Sequence, residues 1–292
     1  MQFYNIVKDL VSVVIPCYNS GMTILKTVAS VHSQTWLNIE IVVVDDGSTD
    51  LETIDVLKAL QGVRLIRQEN TGLPAARNSG FRAAAGAYLL PLDADDWLEP
   101  DAIEKLMAGL QGDRAASFAY SYLQLEGEAR GVLAKHYNFF EQLFLNQMPY
   151  CMLLTRTLWE SVGGYDELMR RGYEDWEFNI RIGATGHVGH VVQRPLFHYR
   201  VTSGGMLLSK SSHLHGELWE GIQDKHKVIY SVPRLIALWR EWRLRPSTYP
   251  LLFYFAWFAV HRLLPSETFS TLFRWLRQWS HSRRVTVRHG GS

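Results

Sequence analysis

With 292 residues, the chain can hold one large domain with an appendage or two small domains. Hydrophobic residues make up 47% and charged residues 20%, a composition that excludes an intrinsically disordered protein. The net charge of +1 gives no strong field towards nucleic acid, so we expect no nucleic-acid partner.

The first half of the chain alternates strand-like and helix-like segments. Four short apolar runs are typical of buried strands, at residues 11–15, 39–44, 63–68 and 88–92. Three segments with apolar residues at helical spacing lie between them, at residues 20–31, 51–60 and 73–85. This order predicts an α/β fold with a mostly parallel central sheet, right-handed crossovers and flanking helices.

Polar residues follow three of these strands. Tyr18 and Asn19 come after the first strand, Asp45 and Asp46 after the second, and residues 93–96 after the fourth. Ligands of parallel sheets bind beyond the carboxyl ends of the strands. We therefore expect these side chains to belong to one site.

Two carboxylates, Asp93 and Asp95, flank one alanine directly after the fourth strand. Such a pair binds a hard divalent cation, Mn²⁺ or Mg²⁺, through oxygen. The cation would neutralise a diphosphate leaving group as a Lewis acid. A solvated acidic loop before a helix at residues 100–110 is the alternative.

The acidic turn after the second strand also has two interpretations. The Asp46 carboxylate can accept a hydrogen bond from a uracil imide or a ribose hydroxyl. Alternatively, this is an ordinary Asp-Gly turn in which Ser48 or Asp50 caps the next helix. Both hold if Asp50 caps while Asp46 binds.

The second half changes character. Residues 139–150 and 154–163 mix aromatic with polar side chains, and residues 174–182 are helix-like. After about residue 205 the pattern is helical and aromatic. We predict a domain of residues 1–205 and a basic helical extension of residues 206–292.

Six motifs, in order and at the expected spacing, resemble family-2 glycosyltransferases of the GT-A fold. They lie at residues 12–19, 44–50, 70–80, 92–97, 163–167 and 173–177. The resemblance implies a GT-A domain with a C-terminal helical extension. It implies inverting transfer of a sugar from a nucleoside-diphosphate donor, UDP being expected, to a hydroxyl of a glycan or lipid-linked acceptor.

The resemblance also implies roles for individual residues. Donor binding falls to Pro16, Tyr18, Asn19, Asp46, Arg77 and Asp93, with Tyr18 near the base and Asp93 at the ribose. Asn78 would support the loop. Asp95 would bind the metal, and so would His198, unless it is a packed or surface residue.

Asp175 would be the general base for the acceptor hydroxyl. It begins an expected helix, and a helix N-terminus favours the ionised carboxylate, although a simple cap is the alternative. Glu174 is the next candidate. Trp97, Trp159 and Trp176 could stack on an acceptor sugar or pack in the core.

Two C-terminal segments, residues 235–242 and 268–279, carry aromatic and aliphatic residues among arginines. Basic amphipathic helices of this kind are typical of membrane-surface elements. The alternative is packing against the catalytic domain or a second subunit, so oligomer formation stays open. Lipid-linked acceptors, implied by the resemblance, favour the membrane.

Three other enzyme classes fit poorly. A nucleotidylyltransferase or a dehydrogenase needs a Gly-rich loop after the first strand, and residues 16–20 contain none. A processive synthase would carry Gln-x-x-Arg-Trp, whereas Thr271 precedes Arg274 and Trp275. A catalytically degenerate nucleotide-sugar-binding subunit of a glycan-assembly complex is the remaining alternative.

The cysteines and the apolar runs bear on where in the cell the protein is expected. Cys17 and Cys151 lack metal-site spacing, so we expect two buried thiols rather than a disulfide. Lys8 and Asp9 interrupt the stretch where a signal peptide would be apolar, and residues 251–260 fall short of the roughly 20 that a spanning helix needs. We expect a cytoplasmic protein, with a peripheral position on the inner face of the membrane as an option.

Overall fold

The computed structural model describes residues 6–202 and 210–286. Within these ranges the strands are β1 (Val7–Cys17), β2 (Ile39–Asp46), β3 (Arg64–Gln68), β4 (Gly86–Pro91), β5 (Trp97–Leu98), β6 (Ala116–Gly127), β7 (Gly131–Leu133), β8 (Leu153–Thr155) and β9 (Val188–Val201).

The helices of the same ranges are α1 (Gly21–His32), α2 (Leu51–Ala59), α3 (Leu73–Ala83), α4 (Ala102–Gly112), α5 (Phe139–Gln142), α6 (Arg156–Ser161), α7 (Glu174–Ala184), α8 (Lys210–His213), α9 (His215–Lys225), α10 (Val232–Trp242), α11 (Leu251–Leu263) and α12 (Ser266–Thr286).

The four strands expected in the first half form a parallel half-sheet. The order of the strands is β3-β2-β1-β4-β8-β6-β9-β5, and β7 pairs with β6. β1 pairs in parallel with both β2 and β4, and β2 with β3. The central residues of β1, such as Val13 and Val14, are completely buried, as a parallel strand covered on both faces requires.

The other half of the sheet is mixed, which the alternating pattern did not predict. β8 runs antiparallel to both β4 and β6. β6 and β9 then pair in parallel over their lengths, with Leu123 opposite Phe197. β5 closes the far edge antiparallel to β9. The sheet is therefore entirely parallel from β3 to β4 and mixed beyond β4.

Helix α3 lies directly on the parallel strands because it has a glycine where it crosses them. A Cβ on Gly80 would lie 2.2 Å from Cγ1 of Val14 and 3.0 Å from Cγ2 of Val44. Both valines are completely buried. The close approach carries Arg77 and Asn78, one turn earlier in the helix, into the interior.

The chain divides into two compact units. The first takes in the described residues up to Arg170 and from Glu174 to Val201, and the second takes in Arg171–Tyr173 and the described residues from Thr202 onward. The boundary expected near residue 205 lies outside the described residues. Cys17 and Cys151, both in the first unit, are buried free thiols, as expected.

The second unit has an aromatic core. The ring centroids of Trp257 and Phe269 are 4.4 Å apart, and those of Trp219 and His261 are 4.6 Å apart. In the part of the chain that the structure describes, no helix is long and apolar enough to cross a membrane.

Candidate active site

The carboxyl ends of the parallel strands meet at one edge of the sheet. The register places Cys17 opposite Asp45, and Val14 opposite Pro91. Because the strands run in the same direction, the residues that follow β1, β2 and β4 lie along this edge. The structure thus brings together the three groups of polar residues that the sequence assigned to one site.

Asn19 joins the end of β1 to the turn after β2. Its backbone has φ +50°, and its Oδ1 accepts hydrogen bonds from the backbone N–H groups of Thr49 (2.8 Å) and Asp50 (3.2 Å). Pro16 precedes it within β1, and the ring of Tyr18 is half exposed. Tyr18 is therefore an accessible aromatic surface on a rigid turn.

The Asp46 carboxylate organises the loop that leads into α3. Its Oδ1 accepts from Gln68 Nε2 at 2.8 Å and from the Thr71 backbone N–H at 3.0 Å, while Oδ2 accepts from the Gly72 N–H at 2.8 Å. Asp46 is 4% exposed. Asp50 caps α2 by accepting from Thr53 N–H at 2.7 Å, so the capping interpretation holds for Asp50.

Arg77 links two acidic residues from distant parts of the chain. Its guanidinium donates to Asp93 Oδ1 and to Glu174 Oε1, both at 2.8 Å, and the residue is 1% exposed. Burial by itself lowers the pKa of Arg77, but the two carboxylates raise it by a larger amount. The pKa therefore lies above its usual value, and the guanidinium stays charged. Arg77 therefore acts on the site through these carboxylates.

Asn78, the neighbour of Arg77, fixes the Gly-Gly-Tyr-Asp-Glu turn. Its side chain exchanges hydrogen bonds of 2.8 Å with the backbone carbonyl and N–H of Tyr165. Gly164 has φ +74°, and a Cβ there would lie 2.7 Å from Asn78 Oδ1. The turn therefore needs glycine at position 164, because of both the positive φ and the lack of space for a side chain.

Tyr150 is a site residue that the sequence did not reveal. Its hydroxyl donates to Asp96 Oδ2 at 2.5 Å and accepts from the Asp93 backbone N–H at 2.9 Å. The Arg77 guanidinium carbon lies 4.7 Å from the centre of the Tyr150 ring. Burial, together with Asp95 and Asp93, raises the pKa of Asp96. Tyr150 thus fixes the acidic loop through hydrogen bonds to Asp93 and Asp96.

Asp95 lies in the acidic loop that follows β4. Burial and the adjacent Asp93 raise its pKa to about 6, because negative charge accumulates in the loop. Within residues 6–202 and 210–286, no three His, Cys, Asp or Glu side chains are grouped so as to hold a metal by themselves. Mg²⁺ is commonly bound by one or two carboxylates together with substrate phosphates, and this loop fits that mode.

Asp175 lies at the N-terminal end of α7. Its Oδ2 accepts a hydrogen bond from Asn146 Nδ2 at 2.8 Å, and Asn146 Oδ1 in turn accepts from Gln142 Nε2 at 2.9 Å. Burial raises the pKa of Asp175, which Arg77 and Asn146 partly offset. Sequence reasoning missed Asn146. The feature that could have identified it is its polar side chain within the aromatic segment 139–150.

His198 and Trp97 lie together, on paired strands. The rings stack with centroids 5.0 Å apart, and Lys26 Nζ lies over the Trp97 ring, 2.9 Å from its centre. The His198 ring nitrogens contact Glu99 (2.7 Å) and Glu126 (3.2 Å), rather than Asp95, in the described part of the chain. A metal-ligand role for His198 stays a prediction. It requires one ring nitrogen to give up its contact with Glu99 or Glu126.

The other two tryptophans are core residues. Trp176 is 2% exposed, and its indole N–H donates to the Gln142 carbonyl at 2.5 Å. Trp159 is 8% exposed and packs edge-on against Phe81. The core-packing alternative therefore applies to both, and Trp176 supports the helix that carries Asp175.

Comparisons with known proteins identify the family of the chain. The model of the family "Glycosyl transferase family 2" matches residues 12–181. "Glycosyltransferase GlyA" of Streptococcus pneumoniae serotype 4 is 30% identical over 226 residues, 69% of this chain and 32% of the relative. A chondroitin synthase of Escherichia coli is 29% identical over 220 residues, 70% of this chain and 31% of the relative. The chain thus spans about a third of the length of these relatives.

A solved structure shows the same fold. S. aureus TarS 1–349 in complex with UDP-GlcNAc superposes with a TM-score of 0.60 at 19% identity, covering 76% of this chain and 67% of that one. The fold expected from the sequence is confirmed. Because the family model matches more than half of the 292 residues, this chain belongs to glycosyl transferase family 2 and has the GT-A fold.

Proposed function

We propose that the chain transfers a sugar from a nucleoside-diphosphate donor to a hydroxyl group of a glycan or lipid-linked acceptor, with inversion at the anomeric carbon. Family membership supports the reaction class. UDP is the nucleotide we favour, because TarS structures with this fold contain UDP and UDP-GlcNAc.

The observation that carries the proposal is the setting of Asp175. Its carboxylate lies at a helix N-terminus, is held by Asn146, and is joined through Glu174 and Arg77 to the Asp93 loop. The residue next to Asp175 in the chain is thus linked to the Asp93 loop by the two ion pairs of the buried Arg77. Positioned carboxylates of this kind serve as general bases.

The reaction we propose is a single displacement at the anomeric carbon. The bond between the anomeric carbon and the diphosphate oxygen breaks, and its electron pair leaves with the nucleoside diphosphate. The acceptor oxygen attacks from the opposite face and forms the new glycosidic bond. Asp175 takes the hydroxyl proton late in this step, and no covalent intermediate is needed.

The donor would bind along the strand edge. Tyr18 offers a half-exposed ring for the base, Asp93 would contact the ribose, and Asn19 and Asp46 keep the surrounding loops in place. Asp95 would hold Mn²⁺ or Mg²⁺, with His198 as a candidate second ligand. Such a cation would supply Lewis-acid stabilisation of the leaving diphosphate.

The test is a panel of nucleotide sugars with the purified chain and Mn²⁺. We expect one donor to raise the melting temperature and to be hydrolysed or transferred, because binding to the folded state stabilises it. Donor binding without turnover on any acceptor would favour the degenerate binding subunit. Failure of every nucleotide sugar to bind would refute the proposal.

A further inference from the structure

The helices of the second unit pack against each other through apolar side chains. Leu235, Leu238 and Phe269 are buried, so the packing alternative applies to these residues of segments 235–242 and 268–279. Membrane association of the chain stays a prediction. Between three of the packed helices lies a cavity with a polar lining.

This cavity lies where α9, the end of α11 and the start of α12 meet, and its volume is about 260 Å³. Six of its eight lining residues have polar or charged side chains: Glu220, Gln223, Asp224, His261, Arg262 and Ser266. All of them belong to the second unit, whereas Asp46, Asp93 and Asp175 of the candidate active site belong to the first. The cavity is therefore separate from the active site.

Gln223 is a buried polar residue in the wall of this cavity. It is 2% exposed, and its Nε2 lies 3.1 Å from Nδ1 of His261. The other ring nitrogen of His261, Nε2, lies 3.0 Å from the carbonyl oxygen of Gly216, which can only accept a hydrogen bond. Nε2 of the ring therefore carries the proton, and Nδ1 accepts from the NH₂ group of Gln223. Burial lowers the pKa of His261, which favours this neutral form.

The orientation of the amide directs the oxygen of Gln223 away from the histidine. This Oε1 atom accepts no hydrogen bond from the residues that the structure describes. A buried amide oxygen without a donor is unfavourable, because it has lost its hydrogen bonds to water. Since Gln223 lines the cavity, a ligand bound there can supply the donor.

The charged groups around the cavity have both signs. Glu220 and Asp224 are negative, and Arg262 is positive. Lys227 Nζ lies 3.6 Å from Asp224, and Ser266 Oγ donates to Glu220 Oε2 at 2.9 Å. A small anion would therefore meet two carboxylates and a small cation would meet the guanidinium, so the balance of charge favours a neutral ligand.

We propose that this cavity binds a neutral sugar residue. Each sugar hydroxyl both donates and accepts hydrogen bonds. Such a ligand can donate to Gln223 Oε1 and to the carboxylates while it accepts from Arg262. An apolar ligand would instead bury these polar groups without partners. The proposal gives the second unit a binding site of its own and does not depend on the proposed transfer reaction.

The experiment is a ligand-observed NMR titration of the full chain with the methyl glycosides of glucose, galactose and N-acetylglucosamine. We expect at least one glycoside to bind with a Kd on the order of 1 mM, as the small size of these ligands implies. Inorganic phosphate and methylammonium, an anionic and a cationic probe, should not displace it. Failure of all three glycosides to bind, or displacement by either ion at equal concentration, would overturn the proposal.

Variants locate the binding site. Gln223→Met keeps the length of the side chain and removes the amide, so glycoside binding should weaken at least about tenfold. Arg262→Gln, at an exposed residue, should weaken it about fivefold without disturbing the packing of the helices. Arg240→Gln, at an exposed arginine of α10 outside the lining, is the matched control and should bind normally. Circular-dichroism melts verify that each variant is folded.

Two further results would contradict the assignment. Undiminished binding by Arg262→Gln, or by a folded Gln223→Met, would place the glycoside elsewhere on the protein. Displacement of the glycoside by UDP would place it in the active site of the first unit. The titration needs neither a donor nor turnover, so its failure would leave the proposed reaction untouched.

Discussion

Asp175 and Glu174 are adjacent in the chain but have different partners. Asn146 contacts the first and Arg77 the second, each at 2.8 Å. Burial raises the pKa of both carboxyl groups, that of Glu174 to about 7. Asp175, the proposed base, and Glu174, which binds the buried Arg77, thus have different neighbours, and substitution can separate their roles.

Replacing Asp175 by Asn keeps the shape and removes the base. We expect kcat to fall by roughly 10²–10⁴ with donor affinity nearly unchanged, because the proton transfer matters in the transition state. The carboxylate is the active form, so wild-type kcat should decline as pH falls through the raised pKa of the pair. This acidic limb should flatten in the variant, as a pH series of kcat will show.

Asp55→Asn, on the exposed side of α2, is the matched control and should behave as wild type. If Asp175→Asn lost donor binding while turning over normally, Asp175 would be a donor-site residue. Glu174 would then be the first alternative base.

Asn146 should lower the pKa of Asp175 through its hydrogen bond, without contacting the substrate. Asn146→Ala removes a hydrogen bond to the ionised carboxylate, so the pKa of Asp175 should rise and kcat should fall about tenfold. Asn146→Asp adds a negative charge and should move the acidic limb to still higher pH. A purely structural role would lower kcat in both variants and leave the limb where it is.

Asp95→Ala tests the metal assignment. If an Asp95 oxygen binds the cation, calorimetry should show that Mn²⁺ or Mg²⁺ no longer strengthens UDP binding, a loss of about 10–100-fold or more. Asp55→Ala again serves as a control. Unchanged affinity for metal and UDP together would exclude Asp95 as a ligand.

At the scale of elements, the parallel strands were predictable and their partners were not. β1 and β2 are apolar runs bounded by polar residues, so pattern alone identifies them. β8 has three residues and β5 has two, and such short strands exist only because neighbours supply their hydrogen bonds. The residues after β1, β2 and β4 were therefore found from sequence, whereas Tyr150 and Asn146, which depend on tertiary contacts, were not.

Two helical glycines give opposite expectations. Gly80→Ala should lower the free energy of unfolding by about 1–3 kcal/mol, because its Cβ would meet the buried Val14 and Val44 side chains. Gly112→Ala, at the end of α4, meets no described atom within 4 Å. It should be neutral or stabilise by up to about 1 kcal/mol. Urea denaturation of both variants compares them, and equal effects would contradict the packing argument.

At the scale of the whole molecule, the two units obey different sequence rules. The first has alternating strands and helices, which a single sequence reveals. The second is a cluster of aromatic helices whose apolar residues look alike from sequence, whether they pack inward, as Trp257 does, or face outward, as Leu252 does. Only burial separates the two kinds.

The long parallel pairing of β6 with β9 has a consequence for how the protein folds. Leu123 pairs with Phe197, which lies 74 positions later in the chain, and the crossover between them contains Asn146, Tyr150, Glu174 and Asp175. Such a distant pairing is slow to form, because the entropy cost of closing a long loop comes before the contacts that offset it. After dilution from denaturant, helical circular dichroism should therefore return before UDP binding does. Simultaneous recovery would show instead that the donor edge is complete without this last ladder.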